Sequence, residues 1–185
     1  MDFSGLEQDV INFVRMHQLW GPPIVFALAF GESLAFISLF IPAWAILVAI
    51  GAIIPVAGIP FWPILVAAAL GAAAGDWLSY WIGYHFKEPI AHVWPLSKHP
   101  DLLPRGHAFM EHWGVPGIFI GRFFGPLRAS VPLIAGIVEM PYWIFQFANF
   151  TSAFVWAWVL LVFGDAVTSV FKWFVNFLKW LLPGV

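Results

Sequence analysis

Apolar positions run almost unbroken from Trp20 to Phe86 and again from Gly114 to Asp165, and a polar stretch separates the two runs. Ahead of the first run, Phe3, Leu6, Val10, Phe13 and His17 recur at helical spacing. Asp2, Glu7, Asp9, Asn12 and Arg15 fall mostly elsewhere around the helix, and Ser4 and Glu7 have capping-box spacing. Residues 1–19 therefore read as an amphipathic helix lying at a membrane surface. Segment 24–57 is too long for one span of about 20 residues and too short for two spans and a turn. With Glu32 and Pro42 inside it, the economical reading is two half-helices forming a re-entrant hairpin, sheltered by protein or by a water-filled cavity. Residues 61–84 make one ordinary span, in which Gly71 and Gly75, four apart among alanines, let a neighbouring helix come close.

Residues 87–112 form a polar surface connector, part of it open to helix formation, with Lys87, Lys98, Arg105 and four of the histidines. Segment 114–140 then poses the earlier problem again: it is apolar and interrupted by Gly125, Pro126, Pro132 and Gly136. It reads as a second re-entrant hairpin, followed by a second span over 142–165. In the tail, 166–185, Ser169, Lys172, Asn176 and Lys179 fall near one face and Val167, Phe171, Phe174 and Leu178 on another. An interfacial amphipathic helix fits that pattern, with a short third span as the other reading.

The two runs share landmarks in order. Trp20, Gly21 and Pro23 answer Trp113, Gly114 and Pro116; Gly31, Glu32 and Pro42 answer Gly121, Arg122 and Pro132; Pro60, Trp62 and Gly83 answer Pro141, Trp143 and Gly164. Such matches are the trace of a duplicated unit, here residues 20–86 and 113–165. One hairpin and one crossing per unit makes the units opposite in topology. The fold class expected is an all-α integral membrane protein: an inverted repeat of a re-entrant hairpin plus one transmembrane helix, flanked by amphipathic terminal helices. In such folds the site lies near the midplane, between the broken helices.

Composition agrees: 62% of the 185 residues are apolar and 10% charged, too few charges to solvate a globule, for which about 25% is usual. A formal net charge of -2 lacks the basic stripe a nucleic-acid partner calls for. The absence of cysteine removes disulfides, thiolate nucleophiles and Cys-type metal sites. The opening MDFSGLEQDV carries acids where a signal peptide has Lys or Arg, so no cleavage is expected.

Candidate chemistry rests on four ionisable residues inside apolar runs, Glu32, Asp76, Arg122 and Arg128. Each costs roughly 2.5–3.5 kcal/mol by insertion scales, so each should be paired or functional. Two acids and two bases suit mutual pairing; the structural alternative is that they only fasten the hairpins together. Arg122 and Arg128 would face different ways on an unbroken helix. A break at Gly125 and Pro126 can turn both guanidinium forks toward one phosphate or carboxylate. Asp76, one turn before Tyr80, could accept its hydroxyl hydrogen bond. Glu139 and Asp165 sit at span ends, where a solvated carboxylate needs no further role. The connector histidines match no zinc motif, and no nucleophile elbow, phosphate loop or dinucleotide fingerprint occurs. No metal, no cofactor and no enzymatic activity are expected.

The stretch GRFFGPLRASVPLIAG at residues 121–136 resembles the signature of the DedA family of membrane proteins, which share the VTT domain. FGESLAFISLFIPAWAILVAIGAI and GDWLSYWIGYHF resemble its two other blocks, in the expected order, and the resemblance covers residues 20–165. It implies two inverted re-entrant hairpins, a bacterial plasma (inner) membrane location, and movement of an anionic lipid, polyprenyl phosphate or phospholipid, between leaflets with dependence on the proton gradient. By position, Glu32 is the family's membrane-embedded acid and Arg122 and Arg128 are its arginines. Some members carry a second acid just after the first hairpin's proline; here that stretch reads Pro42-Ala43-Trp44, which moves any second coupling role to Asp76. The expected partners are membrane lipids and, as an open option, further copies of the chain. The rival expectation is a proton-coupled transporter or channel for small ions using the same four charges. A lipid phosphatase lacks an intramembrane His motif, and an assembly scaffold is the blandest alternative.

Overall fold

The computed structural model describes residues 18–34, 43–91, 102–123 and 125–181. Among them all regular structure is helical. A 3-10 turn at Gln18–Trp20 leads into α1 (Gly21–Ser33), then α2 (Ala43–Ala57), α3 (Phe61–Ala91), α4 (Leu102–Phe123), α5 (Gly125–Ile137) and α6 (Tyr142–Leu181). Of the helix expected over residues 1–19, residues 1–17 lie outside the described residues, as do the break at Pro42 and connector residues 92–101.

Length separates the helices into two kinds. Among the described residues, Phe61–Lys87 of α3 and Tyr142–Ala166 of α6 are long and apolar enough to cross a bilayer. At 1.5 Å per residue, α1, α2 and α5 reach only about 20–22 Å, short of a hydrocarbon core of about 30 Å. Helix α4 starts in the expected polar connector and bends at Gly114 (φ 47°, ψ −122°), and α3 bends at Lys87 (φ 33°, ψ −115°). Helix α6 continues from the span into the tail as far as Leu181 without a break. Most of the side chains that would form the tail's two expected faces lie outside the described ones.

Local chemistry explains the ends. Pro22 and Pro23 lie in the first turn of α1, where a missing N–H costs nothing. Gly125 and Pro126 open α5 in the same way. Pro132, expected from sequence to break the hairpin, instead lies inside an uninterrupted α5. Its flanking residues Val131 and Leu133 are buried, so packing on both sides holds the helix through the one hydrogen bond that proline removes. Helices α2 and α5 end alike. After α2, Gly58 is left-handed (φ 67°) and the Ile59 N–H donates to the Ile54 carbonyl; after α5, Glu139 is left-handed (φ 57°) and the Met140 N–H donates to the Ala135 carbonyl. Both are the helix stop that normally uses glycine. Glu139 bears a cost on the order of 1 kcal/mol that Gly58 does not.

Packing crosses between the two halves of the chain. Helix α1 lies along α3 because Gly71 faces the Phe26 carbonyl and Gly75 faces the Phe30 carbonyl and Ser33, the close approach that the glycine spacing predicts. Helix α5 meets α3 where Gly136 touches Tyr80 and Tyr84 and Gly83 touches Leu133; α2 meets α6 where Gly51 touches Leu161 and Gly164 touches Val48 and Ala52. Thus α2 of the first half packs on the span of the second, and α5 of the second packs on the span of the first. The spans run antiparallel: Phe145 stacks on Tyr80 at 4.2 Å, while Asn149, further along α6, reaches back to Ala73. One apolar core gathers Val25, Leu47, Ile64, Leu65, Trp156 and Leu161, and a second gathers Tyr80, Ile118, Val131, Ile134 and Phe145. Trp62, Trp143, Phe147 and Phe163 point outward, as lipid-facing positions do.

A Cβ at Gly136 would overlap the Tyr80 carbonyl and crowd the Tyr84 amide. Gly136→Ala is expected to cost about 1–3 kcal/mol and to lower the midpoint of thermal unfolding in detergent, whereas Val159→Ala, at an outward position, changes it little. Equal effects of the two would show that the helix crossing does not depend on backbone contact.

Candidate functional site

Glu32, Asp76, Arg122 and Arg128 meet in the interior, each no more than 6% exposed. They come from α1, α3, α4 and α5, and they form two ion pairs. The Arg128 Nη1–H donates to Glu32 Oε1 at 2.6 Å, and the Arg122 Nη2–H donates to Asp76 Oδ2. Each pair joins one half of the chain to the other. Asp76 and Arg128 also lie within electrostatic reach of each other, which links the two pairs.

Each member has further support. Glu32 Oε1 also accepts the Trp44 N–H at 3.2 Å, one of the free amides in the first turn of α2. Arg128 donates to Ser33 Oγ at 3.1 Å, and its guanidinium lies 3.9 Å from the Trp156 ring centre. Arg122 donates to Ser152 Oγ at 2.9 Å and to Asn149 Oδ1 at 2.7 Å. Asn149 is held in turn by its donation to the Ala73 carbonyl at 2.9 Å, so its amide spans α6 and α3. Ser79 Oγ donates to the Gly75 and Ser33 carbonyls, which tightens α1 on α3 beside the pair.

Satisfaction is incomplete in a patterned way. Among the described residues, the buried side-chain atoms without a hydrogen-bond partner are Glu32 Oε2, Asp76 Oδ1, Arg122 Nη1 and Arg128 Nε, one from every member of the cluster. Leaving such an atom buried and unpaired costs about 1–3 kcal/mol or more for a charged group. Two guanidinium nitrogens are therefore spare for an acceptor, and two carboxylate oxygens are spare for a proton or donor.

All four charged residues singled out in the sequence converge here, but their partners differ from expectation. Of the two arginines, Glu32 pairs with Arg128, and Arg122 pairs with Asp76. The expected Asp76–Tyr80 hydrogen bond does not form: the Tyr80 hydroxyl donates to the Met140 carbonyl at 2.6 Å, because Arg122 takes the carboxylate. Gly125 and Pro126 start the helix that carries Arg128, while Pro132 lies two turns further in and forms no break. Sequence reasoning missed Asn149, Ser152, Gln146 and Trp156. The available signal was a polar residue every third position, 146, 149 and 152, inside an otherwise apolar span.

Removing one partner strands the other. Asp76→Leu and Arg122→Met are each expected to destabilise the fold by roughly 3–5 kcal/mol, while the double variant recovers most of that loss. Thermal unfolding of the three purified variants checks this. A double variant no more stable than the singles would show that the pair is not an independent unit.

The VTT domain family model matches residues 41–166. Similar proteins include the inner membrane protein YabI of Escherichia coli K12, 34% identical over 78% of this chain and 57% of its own length. The membrane protein BU139 of Buchnera aphidicola from Acyrthosiphon pisum is 28% identical over 96% of this chain and 71% of its own. The inner membrane protein YghB of Escherichia coli K12 is 28% identical over 80% and 68%. The chain thus spans between about half and seven tenths of the length of such relatives. No solved structure matches. With two helices able to span a bilayer and relatives named as inner membrane proteins, the chain is an integral protein of the bacterial inner membrane, and it belongs to the VTT-domain, or DedA, family.

Proposed function

We propose that this protein is a membrane lipid translocase that carries an anionic head group, polyprenyl phosphate or phospholipid, between leaflets while the hydrocarbon tail stays in the bilayer. The observation that carries the reading is the pair of buried guanidiniums, each with one nitrogen unspent: Arg122 Nη1 and Arg128 Nε. Guanidinium forks suit phosphate oxygens. Asp76 lies near the middle of the span Phe61–Lys87, the depth at which a head group in transit is furthest from water. The lengths of α1, α2 and α5 and the crossed packing of the two halves support re-entrant hairpins in an inverted repeat.

In this reading Glu32 and Asp76 hold the arginines when the site is empty, and phosphate competes for them when lipid arrives. A carboxylate that loses its guanidinium in a dry site is stabilised by taking up a proton. Loading lipid therefore draws a proton inward, which links transport to the proton gradient. No catalytic residue or cofactor is needed, and the partners are membrane lipids. Ion transport through the same charges is the alternative. It predicts that a proton gradient collapses in vesicles that lack the lipid substrate, whereas the translocase keeps it.

Two measurements in reconstituted vesicles test the reading. Arg122→Lys and Arg128→Lys keep charge but lose the fork, and each is expected to reduce lipid movement at least tenfold; near wild-type rates in both would mean that the arginines only balance the acids. Glu32→Gln mimics the protonated acid. It is expected to bind lipid at least as well as wild type and to lose acceleration by an imposed pH gradient. If wild type itself ignores the gradient, passive scrambling replaces coupled transport.

A further inference from the structure

A cavity of about 330 Å³, separate from the charge cluster, lies one to two turns along α3 from Asp76, where the end of α3 meets the turn between α5 and α6. Its walls are aromatic: Trp77, Trp81 and Tyr84 from α3 and Tyr142 from α6, each more than two fifths exposed, with Tyr80 behind them. Among the described residues, the carboxylate in the lining is that of Glu139. Aromatic faces carry negative charge, and a ring cluster closed by an acid attracts ammonium groups.

Three observations point the same way. Lys87 already demonstrates the chemistry: its ammonium pairs with Glu139 and lies 6.0 Å from the Tyr84 ring centre. Glu139 occupies a left-handed position (φ 57°) whose counterpart after α2 is Gly58, at an offset of 81 that also relates Pro60 to Pro141 and Trp62 to Trp143. A glycine would end α5 with less strain, so the fold sustains an unfavourable backbone there for the sake of a carboxylate. The location also fits one ligand source. Because the spans are antiparallel, Lys87 and Tyr142 mark the same face of the membrane, at the level where lipid head groups lie.

We infer that this pocket binds the ammonium head group of a zwitterionic phospholipid, with the rings around the cation, Glu139 opposite it, and Lys87 as a tethered competitor that the ligand displaces. The inference goes beyond the translocase reading, since binding here can be measured whether or not lipid moves.

The test uses full-length protein purified in a maltoside detergent, which carries no ammonium group. Phosphocholine binding is followed by ligand-observed NMR, and choline is compared with neohexanol, its neutral carbon isostere. Choline is expected to bind about tenfold or more tightly than the isostere. Trp81→Leu and Glu139→Gln should weaken phosphocholine binding about fivefold or more. Lys87→Ala should strengthen it, the reverse of what a merely structural ion pair gives. Glu139→Gly should raise the thermal midpoint while weakening binding. In nanodiscs, phosphatidylcholine or phosphatidylethanolamine should displace phosphocholine and phosphatidylglycerol should not. Equal binding of choline and neohexanol, no gain from Lys87→Ala, or no displacement by the zwitterionic lipids overturns the assignment. No lipid movement by the wild-type protein, with binding intact, would remove the translocase reading and leave this site standing.

Discussion

Two acids and two arginines shut away from water can be tolerated only in pairs, and this constraint organises the molecule. An isolated ion in a low-dielectric interior costs many kcal/mol, and pairing offsets that cost only when geometry is close and the remaining hydrogen bonds are met. Here α1 must reach α5 so that Glu32 meets Arg128, and α3 must reach α4 so that Asp76 meets Arg122. Neither pair can form within one half of the chain. The charges act as a register device: if one half slides against the other, both pairs are lost together.

Close pairing requires close backbones, and the glycines supply them. Gly71 and Gly75 bring α1 onto α3, so that Glu32 and Ser33 lie next to Asp76 and Ser79; Gly83 and Gly136 bring α5 onto α3. In a bilayer no water is expelled when two apolar helices meet, so association depends on van der Waals fit and on polar contacts across the interface. The small residues and the buried charges are thus two parts of one arrangement. The polar stripe of α6 completes it, because Asn149 and Ser152 fix the plane of the Arg122 guanidinium, and Trp156 offers a flat face to Arg128.

A site built this way is stable yet exchangeable. Its charges sum to zero, so in the proposed translocase an arriving phosphate need not find an empty cationic hole; it would compete for partners already in place. Every member keeps one polar atom unspent, which leaves a foothold for a ligand before any pair must open. The aromatic pocket at the membrane face has the opposite design: exposed rings, one acid and a tethered lysine, suited to a cation arriving from the head-group layer.

The sequence by itself determined the class of solvent and the residues at issue. Long, mostly apolar runs over 61–84 and 142–165, in a chain with only 10% charged residues, point to a bilayer, and four ionisable groups inside apolar segments are too costly to be incidental. The glycine spacing at Gly71 and Gly75 likewise announced a close helix neighbour. Partner choice was not legible. Two acids and two bases suited mutual pairing without saying which acid meets which base; Glu32 meets Arg128 and Asp76 meets Arg122, because pairing depends on which helices cross and at what angle. The same holds for Asp76, whose nearness to Tyr80 along the helix was outweighed by a guanidinium arriving from α4. Pro132 read as a break because proline removes one hydrogen bond, but burial of its neighbours on both sides outweighed that loss. Glu139 looked like a solvated carboxylate at a span end; only the turn geometry exposed its left-handed backbone, and only the antiparallel spans set it among the rings. Local patterns report what a residue costs, while tertiary structure decides which distant group meets that cost.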